Sequence, residues 1–133
     1  MIYALDSNII TYLLKSNTTV YSRLNKAVDE GGRCIIPPIA YYEVKRGLLA
    51  CNATKKASDF ELLCFDFGVG DMNLKTWDES ARLYALQREK GRTIEDADLF
   101  IAAFCIANDC TLVTNNTRHF QGINDLKLVN WTT

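Results

Sequence analysis

The sequence lacks the marks of a disordered, disulfide-bonded or zinc-binding chain. It contains only two prolines, and 48% of its residues are apolar, which argues against disorder. Its five cysteines are odd in number, form no C-x-x-C pair and mostly lie inside apolar segments. We therefore expect the reduced, buried thiols of a cytosolic protein, with no disulfide framework and no zinc site.

Long apolar runs and an excess of positive charge are also missing. No stretch approaches membrane-spanning length, and Asp6 interrupts the N-terminal apolar run, so we expect no signal peptide. The 15 Lys and Arg residues and 16 Asp and Glu residues give a formal net charge of −1. Overall charge cannot hold the chain on a polyanion, so any contact with nucleic acid must be local. We expect a soluble, cytoplasmic protein without a membrane partner.

Apolar strands and helices alternate along the chain. Strands are predicted at 1–5, 34–36, 110–114 and 126–129, with six helices between them. Each strand is too apolar to have a solvated face, which predicts a parallel sheet covered by helices on both sides. With 133 residues and no linker or repeat, the chain is predicted to be a single domain, 1–133. The fold class is a three-layer α/β/α sandwich with a mainly parallel central sheet.

One predicted helix, within 93–107, is almost wholly apolar apart from acids at its head. Asp96 suits the N-cap, because Asp accepts hydrogen bonds from the free N–H groups of the first turn and its charge suits the helix dipole. Asp98 lies two residues later and points in another direction. It is either a solvated first-turn acid or part of a functional site.

Two further acids follow predicted strands. Asp6 comes directly after the first strand and could cap the next helix, but Ser7 could cap it equally well and leave Asp6 for another role. Glu43 lies about one turn into the helix after the second strand. It belongs either to a solvent-facing ion pair with Arg46 or to a site.

Topology can bring these acids together. Ligands of open parallel sheets bind outside the carboxyl ends of the strands. Asp6 ends one strand, Glu43 follows a second, Asn115 and Asn116 end a third, and Asp98 heads the helix before that third strand. Three carboxylates in one place repel each other unless a cation holds them. Oxygen ligands without His or Cys favour Mg²⁺ or Mn²⁺.

Five segments resemble those of one family. They are L-D-S-N at 5–8, Y-E-V-K-R-G at 42–47, D-L-F-I-A-A at 98–103, L-V-T-N-N-T-R-H-F at 112–120 and N-W at 130–131. In this order they resemble the PIN-domain ribonucleases, and most closely the VapC-type toxins of prokaryotic toxin–antitoxin pairs. The resemblance covers essentially the whole chain and implies a PIN-like fold.

This resemblance implies a metal-dependent endoribonuclease. It makes Asp6, Glu43 and Asp98 the catalytic, metal-binding acids. It leaves outer roles for three further residues, which are Asp96, Asn116 and Ser7. Mg²⁺, which Mn²⁺ could replace, would neutralise the phosphodiester and lower the pKa of a water for in-line attack, leaving a 5′-phosphate and a 3′-hydroxyl. The implied substrates are tRNA or rRNA.

The resemblance also implies partners, namely a VapB-type antitoxin and a second copy of the chain in a homodimer. The antitoxin would insert a basic side chain into the acidic site. The third predicted helix carries Tyr41, Tyr42, Leu48 and Leu49, more apolar surface than one sheet face obviously covers. This surface predicts either an interface or a wider core.

The site departs from the family pattern after the third long strand. Many members have a fourth acid there, where this chain has Asn116 with His119 nearby, so a second metal ion gains no added charge. His119 could orient water, bind phosphate or simply be exposed. Cations at the rim must attract RNA past the acids, and each candidate could instead lie on an ordinary solvated face. The candidates are Lys45, Arg46, Arg88, Lys90, Arg92 and Arg118.

Other functions fit less well. A haloacid-dehalogenase-type phosphatase needs a second Asp where this chain has Asn8, and a receiver domain needs a phospho-acceptor Asp and a late Lys that are not evident. The remaining alternative is a PIN-fold module that binds RNA or protein with little or no catalysis. The intact acids at 6, 43 and 98 argue against it.

Overall fold

Four strands form one parallel sheet in the computed structural model, which describes all 133 residues. The strands are β1 (Ile2–Leu5), β2 (Arg33–Ile35), β3 (Cys110–Val113) and β4 (Lys127–Val129). Their order across the sheet is β2-β1-β3-β4, and every neighbouring pair is parallel. The predicted parallel sheet is therefore confirmed.

Seven helices accompany the sheet, and the six that were predicted begin and end close to the expected residues. They are α1 (Ser7–Leu14), α2 (Thr18–Asp29), α3 (Pro38–Ala50), α4 (Thr54–Phe67), α5 (Leu74–Glu89), α6 (Asp96–Ala107) and α7 (Thr117–Phe120). The short helix α7 was not predicted. No helix is both long and apolar enough to cross a membrane.

Two hydrophobic cores lie on opposite faces of the sheet. Successive strand residues point to opposite faces, and in β1 Ala4 packs into one core while Leu5 packs into the other. Leu112 and Val113 of β3 repeat this division beside them. Helices α1 to α4 supply the core that contains Leu5, whereas α5, α6 and α7 supply the other. The result is the expected three-layer α/β/α arrangement.

Two helix caps differ from the sequence-based expectation. By sequence, Thr18 or Thr19 is the expected cap of α2, but the side chain of Asn17 accepts from the Val20 N–H at 3.0 Å and caps this helix. At α6 the N-cap position belongs to Glu95, and Asp96 is the first helical residue. In both cases the residue immediately before the expected cap holds the position, because neighbouring polar residues can each end the preceding loop.

The cysteines are all free, as expected, but they are not all buried. Cys34, Cys105 and Cys110 are buried, Cys64 is half-buried and Cys51 is exposed at the end of α3. Burial raises the pKa of the Cys34 thiol to about 12. The expectation of buried thiols is therefore wrong for Cys51, which follows the last residue of a helix whose end faces solvent.

The central position of β1 determines where a site can form. The chain places β2 on one side of β1 and later places β3 on the other, so the strand order reverses next to β1. Ligand sites in open parallel sheets form at such a reversal, outside the carboxyl ends of the strands. The Asp6 N–H still donates to the Val113 carbonyl at 3.0 Å, so the ends of β1 and β3 lie side by side.

Candidate active site

Asp6 is a buried acid at the end of the central strand, and only 4% of it is exposed. Its side chain accepts from the Ser7 N–H at 2.8 Å, which makes Asp6 the N-cap of α1. Of the two candidate caps, Asp6 and Ser7, the structure therefore selects Asp6. The cap occupies one of about four lone-pair positions on the carboxylate, so capping leaves Asp6 able to bind a ligand.

Two further donors hold the Asp6 carboxylate. The Thr114 hydroxyl donates to Oδ2 at 2.8 Å, and the Asn8 amide donates to the same oxygen at 3.1 Å. The Asn8 carbonyl also accepts from the Asn115 N–H at 3.1 Å, which joins the start of α1 to the end of β3. Oδ2 accepts from two donors and Oδ1 only from the Ser7 N–H, so Oδ1 keeps the lone pair that Asp6 can offer to a cation.

Sequence reasoning did not assign Asn8 or Thr114 to the site. The signal for Thr114 was a hydroxyl directly after an all-apolar strand, and this residue is fully buried. Its oxygen donates to Asp6 and accepts from the Asn116 N–H at 3.0 Å. Both residues act by orienting the Asp6 carboxylate.

Glu43 projects from α3 toward Asp6 and Ser7. Partial burial raises the pKa of the Glu43 carboxyl above its ordinary value, and the Asp6 carboxylate raises it further. The side chain of Ser7 lowers this pKa by hydrogen bonding. Ser7 therefore interacts with Asp6 through its backbone and with Glu43 through its side chain.

Asp98 is the third residue of α6. Partial burial raises the pKa of the Asp98 carboxyl, and the charge of Asp6 raises it further. His119 lowers this pKa, because its Nδ1 lies 3.1 Å from Asp98 Oδ2. Asp6 thus acts on both Glu43 and Asp98, so the three expected acids share one electrostatic environment.

The donor set suits a hard divalent cation that keeps part of its water shell. Asp6, Glu43 and Asp98 offer only oxygen atoms, and their mutual repulsion is what a cation would relieve. No three His, Cys, Asp or Glu side chains surround one point closely enough to hold an ion as they stand. Mg²⁺ suits such an open set, because it usually keeps several waters and binds through one or two carboxylates.

Two of the expected outer residues do not contact these acids. Asp96 lines a cavity of 480 Å³ between α5 and α6, together with Trp77 and Tyr84. Asn116 is exposed at the start of α7, where its carbonyl accepts from the His119 N–H at 3.0 Å and its side chain makes no hydrogen bond. Of Asn116 and His119, the two residues singled out after the third long strand, His119 is the one whose side chain contacts an acid, Asp98.

A polar cavity of 510 Å³ opens beside Asp98 and His119, and Arg92 and Arg118 also line it. Arg92 Nη1 donates to the Gln121 carbonyl at 3.2 Å, so this guanidinium also holds the loop after α7. Arg118 is exposed and makes no hydrogen bond. Positive charge therefore lies on one wall of the cavity and the Asp98 carboxylate on another.

The other candidate cations have different surroundings. The ion pair between Arg46 and Glu43, one of the two alternatives for Glu43, does not form. The Arg46 guanidinium instead lies over the Tyr42 ring, 5.1 Å from the ring centroid. The charge of Arg46 still lowers the pKa of the Glu43 carboxyl. Burial raises the pKa of the Cys64 thiol on α4, and the charge of Lys45 lowers it. The remaining two are Lys90, whose Nζ lies 3.4 Å from the Gly122 carbonyl, and Arg88, whose Nη1 lies 3.5 Å from the Tyr84 hydroxyl.

The sheet and its acidic edge define an α/β protein with a carboxylate site suited to a divalent cation. The family model described as PIN domain matches residues 3–126, and the chain belongs to this family. PIN-domain nucleases are hydrolases, and the family is generally metal-dependent.

Full-length relatives are similar to this chain in sequence and structure. Ribonuclease VapC1 of Haemophilus influenzae (strain R2866) is 29% identical over 133 residues, covering 99% of each chain. Ribonuclease VapC2 of Rickettsia felis is 29% identical over 132 residues, covering 98% of each. A chain of VapBC2 from Rickettsia felis, bound to a DNA fragment from its promoter, superposes with a TM-score of 0.90 at 29% identity, covering 98% of this chain and 99% of that one. A chain of VapBC-1 from nontypeable Haemophilus influenzae gives 0.88 at 30% identity with full coverage of both.

Replacing Thr114 tests the support of Asp6. We expect Thr114→Val to lower the free energy of unfolding by about 1–3 kcal/mol, because it removes a donor from a buried carboxylate. Thr114→Ser keeps the hydroxyl and should recover most of that loss. Thr111 of β3 is also buried but makes no side-chain hydrogen bond, so Thr111→Val is the control and should change stability little. Equal losses in chemical denaturation for both valine variants would contradict the role of Thr114.

Neutralising Glu43 tests the carboxylate repulsion. The folded-state pKa of Glu43 is raised, so its contribution to stability is present below the unfolded pKa and is lost as the pH rises through the folded value. In EDTA at pH 7, we expect Glu43→Gln to raise the Tm by a few degrees or leave it unchanged. Any gain should disappear below about pH 4, where unperturbed carboxyls become protonated. Glu61→Gln, at an exposed acid on α4, is the control, and a Tm lowered by Glu43→Gln alone at pH 7 would contradict the repulsion.

Proposed function

We propose that this chain is a divalent-cation-dependent endoribonuclease, the toxin of a toxin–antitoxin pair of the VapBC kind. The observation that carries the proposal is the position of Asp6 in a PIN-family chain. This acid lies at the end of β1, next to which the strand order reverses, and its charge raises the pKa of both the Glu43 and the Asp98 carboxyl. Full-length relatives named Ribonuclease VapC and structural relatives in VapBC complexes support this assignment.

In the proposed reaction, Asp6, Glu43 and Asp98 would hold Mg²⁺ or, in its place, Mn²⁺. Such an ion would supply charge neutralisation at the phosphodiester and a lower pKa for the attacking water. Thr114 and Asn8 keep the Asp6 carboxylate in one orientation, so this ligand needs no reorganisation when substrate arrives. The P–O bond to the 3′-oxygen breaks, and the products carry a 5′-phosphate and a 3′-hydroxyl.

We propose that RNA, either tRNA or rRNA, enters along the cavity beside Asp98. Arg118 and Arg92 line this cavity, and Arg46 lies on the other side of the acids near Glu43. Local cations of this kind compensate for an acidic site on a chain whose net charge is only −1. The cavity is open and polar, as a phosphate backbone requires. The proposed location of the protein is the cytoplasm, where such RNA is found.

The competing function is a PIN-fold module that binds RNA or protein without cutting. It differs from the proposed enzyme in one respect, because a binding module does not need the charge of Asp98. A cleavage assay with matched variants of α6 separates the two functions.

We expect purified protein to cleave RNA in Mg²⁺ and to stop in EDTA. Asp98→Asn should reduce the cleavage rate by about 100-fold or more, because it removes an anionic ligand worth several kcal/mol to the transition state. Asp96→Asn, two residues away on the same helix but in the other cavity, is the control and should cut at nearly the wild-type rate. Circular dichroism would verify that both variants are folded. No cleavage in Mg²⁺ by a folded wild type that still binds RNA would favour the binding module. Wild-type cleavage by Asp98→Asn, or cleavage that persists in EDTA, would contradict the proposed metal-dependent reaction.

The proposed partners are a small VapB-type antitoxin and a second copy of the chain. Tyr42 and Leu49 of α3 are 57% and 65% exposed, so this helix carries apolar surface that its own cores do not cover. We expect light scattering to give the mass of a homodimer and the product of the adjacent gene to bind and block cleavage. Leu49→Glu should weaken at least one of these associations about tenfold or more while leaving cleavage intact. A protein that stays monomeric at high concentration and does not bind the product of the adjacent gene would overturn this assignment.

A further inference from the structure

The single histidine of the chain lies against an acid of the site. His119 Nδ1 is 3.1 Å from Asp98 Oδ2, and both residues line the 510 Å³ cavity. The backbone of His119 is fixed on both sides, because its N–H donates to the Asn116 carbonyl and the next residue, Phe120, is 1% exposed in the core. The packing of α7 therefore places the backbone of His119 beside the site, and its imidazole, which is 57% exposed, reaches Asp98 from there.

The distance between these two atoms suits two ligands of one ion. In an octahedral site with bonds of about 2.1–2.2 Å, adjacent donor atoms lie roughly 3.0–3.1 Å apart. Asp98 and His119 already have this spacing without movement of either side chain. The same distance also fits a simple hydrogen bond, so spacing alone does not separate the two roles.

The electrostatics of the site favour a neutral donor at this position. Asp6, Glu43 and Asp98 are all carboxylates, and a further carboxylate would add repulsion whenever the ion leaves. An imidazole adds a donor atom without negative charge. Of the three acids, Asp98 is the one in contact with this imidazole.

We propose that His119 is a direct nitrogen ligand of the catalytic ion and gives the site a preference for Mn²⁺ over Mg²⁺. This inference rests on the proposed function, since it concerns the ion that Asp6 and Asp98 would hold. Imidazole binds first-row transition metals much better than it binds Mg²⁺, whereas carboxylates bind both. A mixed site of three carboxylates and one imidazole therefore discriminates between two ions that an all-oxygen site would treat more equally.

The test is pulsed electron paramagnetic resonance of Mn²⁺ bound to the protein prepared without a histidine tag. His119 is the only histidine, so a coupling to an imidazole nitrogen can come from no other residue. We expect this coupling in the wild type and its loss in His119→Gln, which keeps a hydrogen-bonding group beside Asp98. Gln121→Ala, in the same cavity, is the control and should retain the coupling.

Calorimetry supplies a second readout. We expect His119→Gln and His119→Ala to weaken Mn²⁺ binding by about tenfold and to change Mg²⁺ binding by less than about twofold. If Mn²⁺ binds in a manner that needs Asp98 but shows no imidazole coupling, the inference is overturned and the proposed function stands. If the wild type binds neither Mn²⁺ nor Mg²⁺, the inference about His119 and the proposed function are both overturned.

Discussion

The burial of one carboxylate, Asp6, constrains the rest of the site. A buried acid is costly unless its oxygens find donors, and the chain supplies the Ser7 N–H, the Thr114 hydroxyl and the Asn8 amide. These donors come from the start of α1 and the end of β3, so the support of Asp6 also joins the two central strands. The hydrogen bonds that orient Asp6 therefore add to the backbone pairing of β1 with β3.

Folding alone does not compensate the negative charges of the acids around Asp6. Glu43 and Asp98 reach the site from different helices, and the pKa of each carboxyl is raised by burial and by Asp6. A fold that places three acids together without a closed cage retains an affinity for a cation and for the waters that the cation carries. Among the residues described at the site, only His119 forms a hydrogen bond with the Asp98 side chain. The burial of Phe120, the residue after His119, positions α7 beside Asp98.

The parallel sheet and both hydrophobic cores could be predicted from the sequence, because apolar strands such as Ile2–Leu5 leave no polar face. The convergence of Asp6, Glu43 and Asp98 followed from strand order and from the family resemblance. The caps could not be predicted, since Asp6 and Ser7 satisfy the same local rule, and the N-cap position of α6 belongs to Glu95, whose side chain makes no capping hydrogen bond. The contact of His119 with Asp98 depends on a four-residue helix too short for a periodic signal, and the burial of Thr114 depends on packing across strands.

The proposed reaction requires Asp6 and Asp98 to bind one divalent cation between them. Anomalous scattering from crystals soaked in Mn²⁺ locates such an ion independently of any cleavage. We expect a peak within coordination distance of Asp6 Oδ1 and an Asp98 oxygen, and its absence from crystals of the Asp98→Asn variant. A peak elsewhere, or none at saturating Mn²⁺ in a protein that still cuts RNA, would contradict the proposed reaction.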